Sequence, residues 1–124
     1  MTLQELYASI NGSYDAVKQV LSMDSLISKF IIRLSSDDSC ERLMKAASAN
    51  DAKGMFEAAH SMKGVCANLG LLDLSSMAGD VAEEFRPGKA RKMSDEALAI
   101  HLGVIKEKYK ATMEAIQKFA SEQG

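Results

Sequence analysis

Apolar residues recur at steps of three and four through most of this chain, and the steps restart after each polar or glycine-bearing gap. The first segment opens on "TLQE" at Thr2 to Glu5, a capping-box pattern, and predicts a short helix to about Ala8 that stops before Asn11-Gly12. A second short helix is predicted from about Tyr14 to Leu21. Met23, Leu26, Ile27, Phe30, Ile31 and Leu34 then predict one apolar stripe on an amphipathic helix. "SSDDS" interrupts it, and Cys40, Leu43, Met44 and Ala47 resume the spacing, which fits either two helices or one kinked arm. Asn50-Asp51 supplies a cap for a helix to about Leu69, with Gly70 as its stop. Leu74, Met77, Ala78, Val81 and Phe85 predict another helix, ended by Arg86-Pro87-Gly88. Ser94 can cap a long final helix carrying Leu98, Leu102, Ile105, Tyr109, Thr112, Ile116 and Phe119, the spacing of a bundle seam.

Helices with one apolar stripe each and short connections bury those stripes best against one another. The expected fold is all-α, an antiparallel four-helix bundle with short additional N-terminal helices. It forms a single domain over residues 1–124, with the short helices in 1–21 and the bundle in 23–121.

Composition narrows the function classes. Fifteen basic against seventeen acidic side chains leave a formal charge of -2, without the basic excess that nucleic acid or an anionic membrane surface attracts. No apolar run approaches the roughly 20 residues of a membrane span, and "MTLQELYASING" does not read as a secretory signal. Cys40 and Cys66 read as small inward-facing hydrophobes in a reducing compartment. The expected location is the cytoplasm.

The stretch "AAHSMKGVCANLG" is where chemistry concentrates. On its helix Met55, Ala59, Met62, Cys66 and Leu69 share one face, which turns His60 toward solvent with Phe56, Lys63, Gly64 and Ala67 as neighbours. Glycine in a helix interior costs about 1 kcal/mol relative to alanine, so Gly64 needs a reason. A lysine one turn from an exposed imidazole can neutralise an anionic group carried on the ring. A glycine four residues on leaves the ring uncrowded. Those are the needs of a nucleophilic imidazole that takes up a phosphoryl group and presents it to another protein.

This stretch resembles the signature of histidine-containing phosphotransfer (HPt) domains: histidine, any residue, Leu or Met, Lys, Gly, then small residues matched by Val65 to Ala67, and an apolar residue before glycine matched by Leu69-Gly70. The likeness extends over roughly residues 14 to 120. It implies a phosphorelay carrier whose phosphoacceptor is His60 at Nε2, with Lys63 and Gly64 supporting the phosphate and Phe56, Glu57 and Ala67 on the docking face. The implied partners are a response-regulator receiver domain and a sensor histidine kinase. A cofactor of the chain's own is not implied, since Mg²⁺ and the catalytic groups belong to the receiver; the chain is then a monomeric carrier and not an enzyme. One departure stands out. Several members carry a glutamine on the following helix that orients the imidazole, and residues 71–85 contain none, with Ala82 near where it would project.

Other readings fit less well. Glu57 and His60 form one Glu-x-x-His pair, but a di-iron bundle needs a second pair and two further inward glutamates. Cys66 and His60 lie about 240° apart around the helix, too far for a nucleophile and its base. No glycine loop is present to cradle nucleotide phosphates. His101 reads as packing, the basic group Arg86, Lys89, Arg91 and Lys92 as a solvated loop, and the eight methionines as core filling. Phe56 fits either cover by the N-terminal helices or exposure to a partner. The alternative function is a helical adaptor that docks signalling partners without carrying phosphate.

Overall fold

The computed structural model describes residues 1–123, and every regular element among them is helical. The α-helices are α1 (Leu3–Ser9), α2 (Tyr14–Leu21), α3 (Asp24–Arg33), α4 (Ser39–Ser48), α5 (Ala52–Asn68), α6 (Leu72–Glu84) and α7 (Asp95–Gln123). Gly124, the last residue of the expected domain, lies outside the described residues.

Local chemistry sets most of these boundaries. The Thr2 hydroxyl accepts the Glu5 N–H at 3.1 Å while the Glu5 carboxylate accepts the Thr2 N–H at 2.8 Å, which completes the capping box. Side chains of Ser13, Asp51 and Ser94 each accept an N–H three residues on, at 3.0 Å in each case. Gly70 ends α5 at a φ of +74°, and a Cβ there would lie 2.5 Å from the Ser13 carbonyl oxygen. Only glycine meets both demands at little cost.

The stretch over residues 23–49 forms two helices, α3 and α4, and not one kinked arm. A single 3-10 turn at Leu34–Ser36 ends the first, and the Asp37 carboxylate accepts the Ser39 N–H at 3.1 Å to start the second.

Helices α4 to α7 form the antiparallel four-helix bundle. The α4–α5 hairpin brings Arg42 to Ser61 (3.4 Å), and the α5–α6 hairpin lets the Ser75 hydroxyl donate to the Lys63 carbonyl (2.9 Å). Asp73 meets Lys108 (3.4 Å) and Asp80 meets His101 (3.7 Å), so α6 and α7 also run in opposite directions. The α7 seam is buried at Leu98, Leu102, Ile105, Thr112, Ile116 and Phe119, with Tyr109 half-buried.

The α3 stripe is narrower than its spacing predicts. Ile27, Ile31 and Leu34 are buried, whereas Met23, Leu26 and Phe30 are 57%, 36% and 38% exposed. The two sets form adjacent lines on one helix. The sides of α3 that meet α2 and α7 cover only the first line.

The N-terminal helices dock at the α5–α6 turn. The Tyr7 hydroxyl donates to the Leu69 carbonyl at 2.6 Å, the Ser13 N–H to the Gly70 carbonyl at 2.8 Å, and the Asn11 amide to Asp73 at 2.6 Å. At the other end of α6, the buried Glu84 carboxylate gathers the loop that leads to α7. It accepts the N–H groups of Lys92 and Met93 and the Arg91 guanidinium, at 2.8 to 3.1 Å. Burial opposes its charge, but these donors outweigh burial and hold its pKa below the ordinary carboxylate value.

Candidate functional site

Helix α5 buries Met55, Ala58, Ala59, Met62 and Cys66 and turns its other side outward. His60, Lys63, Gly64, Ala67 and Glu57 are all exposed on that side. The sequence-predicted residues therefore occupy one open face, centred on the imidazole.

Phe56 resolves into neither of its two expected settings. It is half-buried and packs against the core, and its ring stacks on His60 with centroids 5.7 Å apart and 20° between the planes. The hydrogen bonds of the N-terminal helices reach α5 only near Leu69 and Gly70. That is about 20 Å along the helix from Phe56, at 1.5 Å per residue.

Gly64 has open space above it. A Cβ there would meet nothing within 4 Å, so no close helix packing requires this glycine. Lys63 is placed differently. Its aliphatic stem lies over Gly79 of α6, where a Cβ would sit 3.3 Å from Cδ and 3.5 Å from Cε. None of the ion pairs among the described residues uses its ammonium group. Ala82, where a ring-orienting glutamine would fall, is buried and faces the core.

The remaining groups separate from this face. Glu57 lies 4.0 Å from Lys53, an exposed pair of little energetic weight. Cys66 is 1% exposed, and burial pushes its thiol up to about 12 and that of Cys40 to about 11, so neither is a ready nucleophile. His101 is half-buried between α6 and α7, its Nε2 3.7 Å from Asp80. The basic loop is more tied down than a solvated stretch: Arg86 and Lys89 pair with Glu83, and Arg91 with Glu84 and Asp95. Among the described residues no three His, Cys, Asp or Glu side chains converge as metal ligands, and no helix is long and apolar enough to cross a membrane.

Sequence reasoning missed two features of the structure. One is Gly79, whose only signal was a lone glycine inside the α6 pattern. The other is a mostly apolar groove of about 710 Å³ whose lining includes Val20, Phe30, Leu34 and Val65 together with Arg33 and Asp37.

Comparison with protein families matches residues 31–119 to the Hpt domain model. Comparisons with curated proteins and with solved structures return no match.

Proposed function

The chain belongs to the Hpt domain family, whose members carry phosphoryl groups in two-component signalling, and from that premise we propose that His60 is its phosphoacceptor. The phosphoryl group comes from a receiver-domain aspartate or a hybrid sensor kinase and goes on to a response regulator. In the accepting step the Nε2 lone pair attacks phosphorus in line, a P–N bond forms, and the P–O bond to the aspartate breaks. The carboxylate leaves with the bonding electrons. The attacking nitrogen must be unprotonated, so the ring proton stays on Nδ1. The donor receiver supplies Mg²⁺ and the acidic pocket, and this chain supplies a nucleophile, a nearby cation and clearance.

One observation carries the reading: an exposed imidazole on a helix, one turn before a glycine with nothing above it and beside a lysine that enters no ion pair among the described residues. Lys63 neutralises charge on the phosphoryl oxygens, and Gly64 leaves room for the group and for the incoming receiver. Phe56, Glu57 and Ala67 lie on the docking face. The protein works in the cytoplasm as a monomer. Incubation with a phosphorylated receiver domain tests this: acid-labile, base-stable label should move to the native chain and not to His60→Gln. Docking without label would favour the helical adaptor.

A further inference from the structure

Gly79 lies inside α6, where glycine is a poor helix former, and no turn or positive φ asks for it there. The three nearest atoms to a Cβ at this position all belong to one side chain: Lys63 Cδ at 3.3 Å, Cε at 3.5 Å and Cγ at 3.8 Å. By contrast, a Cβ on the exposed Gly64 or Gly103 would meet nothing. The bare backbone at Gly79 is thus a seat for the lysine stem. One turn earlier on α6, the Ser75 hydroxyl donates to the Lys63 carbonyl at 2.9 Å. Helix α6 therefore holds Lys63 at both its backbone and its stem.

A lysine side chain carries large rotamer freedom, and much of it is lost whenever its ammonium must meet an anion in one place. A seat removes part of that freedom before the anion arrives. We propose that Gly79 is a positioning residue, resting on the reading of His60 above: it gives the Lys63 stem a place across α6, so the ammonium is held for the phosphoryl group on His60. Gly79 itself touches neither the ring nor the phosphate.

Two measurements test this. In the native domain, nuclear Overhauser effects should join the Lys63 δ and ε protons to the Gly79 α protons, and Gly79→Leu should abolish them. In label transfer from a phosphorylated receiver, Gly79→Leu should slow the native chain by roughly five- to tenfold but have almost no further effect once Lys63→Ala is in place. Gly79→Ala should show the same dependence on Lys63 with a smaller loss, and serves if the leucine variant melts early. Absent Overhauser effects, or equal slowing in the Lys63→Ala background, would overturn the proposal and leave the role of His60 standing. A native chain that shows the Overhauser effects but takes no label would overturn the phosphocarrier reading, and the positioning role with it.

Discussion

Phe56 and His60 stack one turn apart on α5, with ring centroids 5.7 Å apart and planes 20° from parallel. Phe56 is itself half-buried against the core, so it offers the imidazole a fixed surface. An aromatic pair contributes about 0.5–1.5 kcal/mol beyond its burial, enough to bias a side chain that would otherwise sample several rotamers. Ala82 is turned into the core, so the ring contact seen at this site is the stack with Phe56.

Phe56→Leu keeps an apolar side chain against the core and removes the stack. It should lower stability by about 1 kcal/mol and slow transfer about fivefold. Thermal melts and transfer rates on the same variant separate the two effects. A steep fall in melting temperature with normal transfer would make Phe56 a core residue only.

Gly64→Gln should move stability and function in opposite directions. The position is exposed and a Cβ meets nothing, so the gain in helix propensity is up to about 1 kcal/mol, or about 4 °C in Tm. The new side chain projects over the turn that carries His60 and should cut transfer sharply. Normal transfer by this variant would remove clearance as the reason for the glycine.

Much of this was legible in the sequence because it rests on local chemistry. Ser13 and the Asn11-Gly12 turn bound α2, and Asp51 and Gly70 bound α5, each through hydrogen bonds or backbone angles within a few residues. Periodicity likewise turns His60 outward, because five buried neighbours on α5 define the opposite face. What periodicity does not carry is which part of a stripe meets a partner. Leu26 and Phe30 fit the α3 pattern as well as Ile27 and Ile31, yet only the second pair is covered. The Lys63–Gly79 and Glu84–Met93 relationships join different elements, and neither has a spacing that announces it.

Glu84→Ala should release the loop between α6 and α7 and lower the melting temperature at neutral pH. The folded pKa of Glu84 lies below the ordinary value of 4.5, so its contribution is fully present above the unfolded-state pKa. It is lost as pH falls through that value and on through the folded one. Melts of the native and variant chains should therefore draw together as pH falls from neutral through and below the ordinary carboxylate range. A gap that stays constant as the carboxylates are protonated would mean the ionised carboxylate is not what holds the loop.

Transfer of label from a phosphorylated receiver domain to this chain tests directly whether His60 carries the phosphoryl group. The native chain should gain acid-labile, base-stable label. His60→Gln should gain none while keeping its fold, its melting temperature lowered by no more than the loss of the Phe56 stack costs. Label on the variant at the native rate would mean that another residue is the phosphoacceptor, and no label on the native chain would rule out the carrier role.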